Sequence, residues 1–557
     1  MFALNHGVER SNNNGGKMRA RFLVEWSIRL VAAVLLISCP AWAQFTANIQ
    51  GTVDDPSGAA VPQAKVTLEN TVTLVTANTT TDASGLYRFE SLAPSTYQIT
   101  VNATGFAPAE SDVTLLTDQT LTVNVSLKVG TATSSVVVTA ETPIVNTSET
   151  RDQQTVATQE LSSVPLEGRN MLSLSTEAPG VSGLGVASGP GTNGGTPGTS
   201  ADNFSTEEAV DLSAKGQGTV SNLWVIDGLD VTSGIRQGVL NLTPNPDFVE
   251  EASNQVNVYN AAYGNASGIQ FAMTTKSGTD QYHFLLSDYF NNQDMYARYS
   301  LPGSDHAYNP FHGNNMSFSV GGPVIPHKRF FFFFGVEPLR ESYSTGSSNF
   351  NYVAPQFIAW AKANYPNTLG TQVLENYPVS PAVAFSSVAL TAGADTHLES
   401  GCGIGTTAPA DIPCSTPMVD TGVFNSTDFR NGTQYFVRFD KYFDKDRIYG
   451  SFFRTLLSSG GPAQIPAFPA TNNYWERAIQ VGWTHTFSPT MLNEASFGTN
   501  RVQGILDSSG TFTVPIINTS EVGGYGSGFA QGDFIQHDYH WRDVLTKEPG
   551  SLLTVAT

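Results

Sequence analysis

From Gln281 onward the chain alternates apolar residues with small or polar ones at a period of two. Met316, Phe318 and Val320 alternate with Ser317, Ser319 and Gly321. Tyr435, Val437 and Phe439 alternate with Gln434, Arg438 and Asp440, and Ile479, Val481 and Trp483 with Gln480, Gly482 and Thr484. Such alternation sends apolar side chains to one face of a strand and polar ones to the other. The connections are unequal. Tight turns at Asp444-Lys445-Asp446 and Ser488-Pro489-Thr490 contrast with long segments from Ser342 to Phe429 and from Leu456 to Tyr474. Beyond the amino terminus no stretch offers the roughly 20 continuous apolar residues that a membrane helix needs. If this chain crosses a membrane, it does so with strands. Short turns on one rim and long loops on the other are the pattern of a bacterial outer-membrane β-barrel. The aromatic run from Phe330 predicts a girdle at a membrane interface.

Composition narrows the class. Asp and Glu outnumber Lys and Arg by 48 to 28, a formal charge of −20, which argues against nucleic acid as a partner. Charged residues make up 14% of the chain and aromatics 11%, a balance that disfavours disorder and suits a wall touching outer-membrane lipid. Residues 1–43 read as a signal peptide. Lys17, Arg19 and Arg21 precede an apolar core from Leu30 to Ile37, and Ala41-Trp42-Ala43 forms a cleavage site that leaves Gln44 first. Leu36-Ile37-Ser38-Cys39 offers the alternative of a lipoprotein signal. In an oxidising compartment Cys402 and Cys414 are expected to form a disulfide that pins a surface loop. With only His397 nearby they make a poor zinc site.

The stretch from Asn260 to Arg298 is a junction between a Gly-rich globular segment and the strand-rich half. Ahead of that segment, residues 46–128 carry short alternating strands separated by Asp54-Asp55-Pro56-Ser57-Gly58, Asp82-Ala83-Ser84-Gly85 and Ala93-Pro94-Ser95. This spacing predicts a β-sandwich. The wording GTVDDPSGAAVPQAKVTLEN…TTDASGLYRFESLAPSTYQITVNATGF resembles the carboxypeptidase regulatory-like domain, whose fold is related to carbohydrate-binding sandwiches. That resemblance implies an accessory domain and no peptidase activity.

Residues 129–150 form a linker. Within it Val136, Val137, Val138, Thr139 and Ala140 read either as an ordinary strand or, by resemblance, as a TonB box. An extended β-branched segment is shaped to add to a partner's sheet edge. In 151–278, Val164-Pro165-Leu166-Glu167-Gly168-Arg169-Asn170 resembles the LPLxGRN element of plug domains in Oar-like TonB-dependent outer-membrane receptors. Leu223 to Asp230, with Asp227 and Gly228 at its turn, resembles the central plug strand. The segment ending at Gly264 resembles the AxYG element, and Thr275-Lys276-Ser277-Gly278-Thr279 the TKSGTN marker, with Asp280 in place of Asn. Gly321-Gly322-Pro323-Val324 followed by the aromatic run resembles the family's first barrel hairpin.

No HExxH or GxSxG occurs, and no histidines pair at helical spacing for a metal. The GxGxxG match at Gly189 to Gly194 has no flanking strand and helix, so it is no nucleotide site. His537 and His540 lack a third ligand. Asp227 and Asp230 read as a turn rather than as catalytic carboxylates. No enzymatic activity, cofactor or metal is expected. The fold expected is mainly β: an N-terminal β-sandwich, an α+β plug at 151–278 and, over 279–557, part of a transmembrane antiparallel barrel. Roughly eight strands are visible where plugged transporters have about 22, so a longer protein is expected. The resemblance implies a TonB-dependent receptor importing an oligosaccharide or peptide, its sandwich and plug facing the periplasm, its partner a TonB-type inner-membrane transducer. Its alternatives are a structural or adhesive outer-membrane protein and a secreted carbohydrate-binding protein of several sandwiches.

Overall fold

The structure is a computed structural model that describes residues 47–117, 119–130, 136–137, 152–164, 166–183, 202–204, 210–256, 267–295, 310–394, 412–488, 491–508 and 532–547, with 522 and 525. The expected signal peptide and the GxGxxG match lie outside the described residues. Among the described residues no helix is long and apolar enough to cross a membrane.

Eight strands build the N-terminal unit: β1 (Ala47–Asp54), β2 (Lys65–Asn70), β3 (Thr76–Thr80), β4 (Leu86–Leu92), β5 (Ser95–Asn102), β6 (Ala109–Leu115), β7 (Thr120–Thr122) and β8 (Val125–Ser126). One sheet runs β4-β1-β7, with β8 also on β1, and the other runs β3-β2-β5-β6. Alternation buries Ile49, Val53, Val66, Leu68, Ile99 and Val101 between them. The buried Tyr87 hydroxyl donates to the Val123 carbonyl at 2.7 Å, so its polar end is satisfied. Asp55 and Asp82 make the turns by accepting backbone N–H groups two and four residues on. A further strand, β9 (Val136–Val137), pairs in parallel with β6, Val136 opposite Ala109 and Val137 opposite Glu110. Thus the start of the TonB-box candidate extends the sandwich's sheet, while Val138, Thr139 and Ala140 lie outside the described residues.

A central domain follows. Its strands are β10 (Asp152–Ala157), β11 (Val181–Gly183), β12 (Leu212–Ala214), β13 (Leu223–Ile226), β14 (Leu229–Asp230), β15 (Val249–Val256) and β16 (Ile269–Thr275), with helix α1 (Thr158–Ser163) after β10. The main sheet runs β10-β15-β16-β13-β14, with β11 and β12 as a separate pair. Alternation sends Val156, Ala252, Phe271, Met273, Trp224 and Ile226 into one apolar core. Gln153, Ser253, Gln255 and Gln270 fall on the opposite face, and Ser253, Gln255 and Gln270 are fully buried there.

The remaining strands are β17 (His283–Asn292), β18 (Phe311–Ile325), β19 (Phe330–Val353), β20 (Ala384–Thr391), β21 (Pro417–Tyr442), β22 (Asp446–Gly461), β23 (Ala470–Ser488), β24 (Met491–Ser508) and β25 (Gly532–Lys547). They form one antiparallel wall, ordered β17-β18-β19-β21-β22-β23-β24-β25, with β20 on β21. The expected alternation is present. Met316, Phe318, Phe439, Val481, Trp483, Phe497 and Trp541 are exposed on the outer face, where Phe497 and Trp541 stack at 6.2 Å. Ser317, Ser319, Gln434, Arg438 and Gln480 are buried on the inner face, against the central domain.

Two expectations need correction. The segments around Ser342 to Phe429 and Leu456 to Tyr474 are not all loop. Strands β19 and β21 run for 24 and 26 residues, far beyond the roughly 9–11 a spanning strand needs. Ladder bonds need only backbone, so Ser- and Asn-rich sequence continues the strand where hydrophobic alternation has stopped. Only then come helices α2 (Pro355–Asn364) and α3 (Leu369–Asn376) and the strand β20. The aromatic run is likewise not simply a girdle, because Phe331 and Phe333 point inward and are 1% exposed.

Candidate functional site: the seam between central domain and wall

Three glycines on three wall strands receive three apolar side chains of the central domain. A Cβ on Gly335 would overlap Phe248, one on Gly432 would overlap Phe204, and one on Gly498 would overlap Leu229. Phe248 also stacks on Phe436 at 6.1 Å and meets Phe333 edge-on at 6.5 Å. Phe333, Phe436, Phe453 and Ala478 of the wall thereby join the central domain's own core. Filling one of these sockets is expected to push the two bodies apart. Gly498→Val should cost about 1–3 kcal/mol of stability by overpacking. Leu229→Ala added to it should recover part of that loss in a denaturant titration, and no recovery would place the strain elsewhere.

Between the sockets lie buried ions. The turn from β13 to β14 carries Asp227 at φ 48° and Gly228 at φ 86°, the paired left-handed conformation of a tight hairpin. This turn aims the Asp227 carboxylate at the wall. Arg438 donates to it at 3.1 Å, to Asp440 at 2.7 Å and to the Thr275 hydroxyl at 2.8 Å. Asp227 also accepts from the Thr275 hydroxyl at 2.6 Å and its backbone N–H at 2.9 Å. Gln480 and Tyr449 of the wall donate to the Asp227 carbonyl at 2.6 and 3.1 Å, and Arg447 braces Asp440 at 3.1 Å.

A second ion cluster forms around Arg169. Gly168 and Arg169 both have left-handed backbone, with φ of 58° and 56°. Asn170 then caps the following 3-10 turn, accepting the Leu172 N–H at 3.0 Å. This bend places the Arg169 guanidinium 2.8 Å from Asp247, 3.5 Å from the wall's Glu337 and 4.0 Å from the centre of the Tyr289 ring. Asn203 donates to the other Glu337 oxygen at 2.7 Å, and Glu337 is fully buried. Burial alone would raise the Asp247 carboxyl, but the Arg169 charge and the hydrogen bonds around it outweigh that and hold it below the usual range. A third cluster joins Arg430 to Asp202 and, at 3.5 Å, to Glu341. Beside it Gln434 donates to the Asn203 and Thr243 carbonyls at 2.6 and 2.9 Å.

The resemblance-derived residues thus have definite places. Arg169, Asn170, Asp227 and Gly228 are at the seam. Lys276 is mostly buried, and burial lowers its ammonium pKa against the opposing pull of Glu250 and Asp247. Ser277 lies in the entry to the wall. A Cβ on Gly278 would collide with the Phe332 and Gly322 carbonyls, which accounts for a glycine there. Gly264 and Cys402 lie outside the described residues, and Cys414 is disulfide-bonded. No group of His, Cys, Asp and Glu able to hold a metal is found among the described residues. Sequence reasoning missed Glu337, Glu341, Arg430 and Asp247. The available signal was a charged residue at an inward position of an otherwise apolar strand, as in Phe333-Phe334-Gly335-Val336-Glu337.

The family comparisons agree with this architecture. An outer membrane beta barrel domain model matches residues 274–546, and a carboxypeptidase regulatory-like domain model matches residues 48–128. Among solved structures, the outer membrane transporter YddB from Escherichia coli is similar at 9% identity and a TM-score of 0.43, over 71% of this chain and 45% of that one. The chain therefore spans less than half of that transporter's length. Catechol 1,2-dioxygenase from Pseudomonas arvilla C-1 matches 17% of this chain and 55% of its own, at 12% identity and a TM-score of 0.14. No curated protein matches the chain. The chain carries an outer membrane β-barrel domain behind a carboxypeptidase regulatory-like domain and is a protein of the outer membrane.

Proposed function

We propose that this chain is part of a gated importer, a TonB-dependent receptor of the Oar-like kind, in which the central domain is the plug of the barrel. The observation that carries this reading is the seam. A folded domain is seated against the inner face of a membrane wall through sockets and buried ion pairs, so the lumen on that side is filled by a separate, discrete body. A seat made of paired ions and hydrogen bonds holds a plug in place, and water entering the seam can replace those partners when the plug is pulled. The sandwich lies against the short-turn end of the wall, beside Asp444–Arg447 and Leu492, while the two helices lie beyond the long ends of β19 and β21. Outer-membrane barrels keep their short turns in the periplasm. The sandwich and the plug's lower side therefore face the periplasm, and the long strand ends with their helices face outward to a ligand, an oligosaccharide or a peptide.

The segment Val136 to Ala140 is the handle offered to a TonB-type transducer. Its first two residues, Val136 and Val137, already lie as a strand on the edge of β6, so strand addition is its natural chemistry. Val137→Pro removes a backbone donor and is expected to weaken binding of the purified periplasmic domain of such a transducer at least about tenfold. The check is a titration of that domain onto detergent-solubilised wild-type and variant protein. Equal affinity would leave the run as a strand of the sandwich alone and favour a permanently sealed, structural barrel.

A further inference from the structure

The sandwich does not hang free of the rest of the chain. Thr117, in the loop after β6, donates through its backbone N–H and its hydroxyl to one oxygen of Glu251 on the central domain, at 2.7 and 2.6 Å. The same hydroxyl lies 3.0 Å from that of Thr274, and Gln153 donates to the Thr117 carbonyl at 3.0 Å. Glu251 is 6% exposed. A carboxylate taken from water needs such donors, and these come from the other domain. A second foothold is on the wall. The Ser91 hydroxyl donates to Glu494 at 2.5 Å, and Ser91 has left-handed backbone, φ 56°, which costs energy in a non-glycine residue. Two lighter contacts lie on the rim and at the entry strand, Arg329 to the Thr76 hydroxyl at 3.4 Å and the Asp280 N–H to the Val72 carbonyl at 3.2 Å.

These contacts are polar, and the apolar cores of the sandwich and the central domain share no residue. The junction is also not fully packed. A cavity of about 640 Å³ lies between Thr76, Arg88 and Glu90 of the sandwich and Arg329, Arg447 and Phe487 of the wall. A smaller one, about 150 Å³, is lined by Asn70 of the sandwich, Ser277, and Asp227 and Arg438 of the seam itself. The seam's lower end therefore opens into a chamber with the sandwich as its floor.

We propose that the sandwich is a reversible cap on the short-turn mouth of the wall, seated by Thr117 on Glu251 and by Ser91 on Glu494. The sandwich covers the chamber below the Asp227–Arg438 pair and leaves it partly open at the side. A solute that passes the Asp227–Arg438 pair enters this chamber, so the cap lifts before that path is open. A polar seat suits that task, because water replaces each hydrogen bond on lifting, whereas a shared apolar core would fuse the two domains. The inference rests on the docking contacts and the chamber, and on the importer reading for what moves along the seam; it does not require that a transducer pulls on the chain.

The test uses the complete chain in detergent with Ser277→Cys as a reporter inside the chamber. A bulky, charged thiol reagent reads its accessibility as a rate. Thr117→Val combined with Ser91→Ala is expected to raise that rate at least about tenfold. In a separate background, Ser91→Cys with Glu494→Cys should close a disulfide under mild oxidation and slow the reporter below its unmodified rate, and reductant should reverse this. Failure of the two thiols to link, either directly or through a short thiol-to-thiol crosslinker that makes up the length of the lost glutamate, would overturn the docked geometry. A locked chain whose reporter reacts as fast as the unlocked one would overturn the cap. The locked form keeps the Thr117–Glu251 seat and replaces the other with a covalent bond, so it decides the matter even if the loosened variant folds badly.

Discussion

Arg438→Met is expected to loosen the central domain from the wall by about 3–5 kcal/mol, the usual cost of removing one partner from a buried ion cluster. The reason is what remains. Asp440 is 1% exposed and Asp227 faces the same buried space, and Arg438 is the cation that contacts both carboxylates. Methionine fills the volume but leaves two carboxylates with too few donors, although Arg447 still reaches Asp440. The effect is readable as a shift in the guanidinium midpoint of tryptophan fluorescence, since Trp224 is fully buried in the central core. Asp227→Asn and Asp440→Asn added to Arg438→Met should recover much of the loss, because neutral amides tolerate burial far better than charges. A midpoint that Arg438→Met leaves unmoved would mean that the sockets alone hold the domain.

How much of this was legible in the sequence depends on which force fixed each element. The sandwich and the wall were legible because burial imposes a period of two, and Ile479, Val481 and Trp483 record it directly. Their outward direction and the inward direction of Gln480 follow from the same count. The ends of β19 and β21 were not legible, since past the membrane both faces meet polar surroundings and the alternation vanishes while the ladder persists. Half of the aromatic run was misassigned for a related reason. Phe333 and Phe332 are the same residue type, and only the presence of the central domain behind the wall makes the inner one core. Glycines 335, 432 and 498 carry no local signal either, because each is required by a side chain from another domain.

The seam shows the same division. Asp227-Gly228 was readable as a turn, since a tight hairpin needs left-handed residues and these two types adopt them. The partner of that turn was not readable, because Arg438 is 211 residues away in sequence and nothing local marks it. Likewise Gly168-Arg169-Asn170 stands out as a motif, yet its purpose emerges only when Asp247 and Glu337 are found beside it. Long-range pairing of buried charges is the feature that a single sequence hides best.

Arg169→Met should show whether that motif acts as a clamp. It leaves Asp247 with Ser287 at 3.0 Å and Glu337 with Asn203 at 2.7 Å, so each carboxylate keeps at least one donor. The loss is therefore expected at the lower end of the range for broken buried pairs, about 3 kcal/mol. It should also carry a distinct signature, because the guanidinium lies over the Tyr289 ring and ties strand β17 to the central domain. Hydrogen exchange of the β17 amides should speed up in Arg169→Met and stay unchanged in Arg438→Met, whose contacts lie on β21 and the β13–β14 turn. Glu337→Gln in the Arg169→Met background should restore most of the stability by removing the one fully buried carboxylate left without its cation. If the restoring change fails while β17 exchange still rises, Arg169 acts through its packing on Tyr289 and not through its charge.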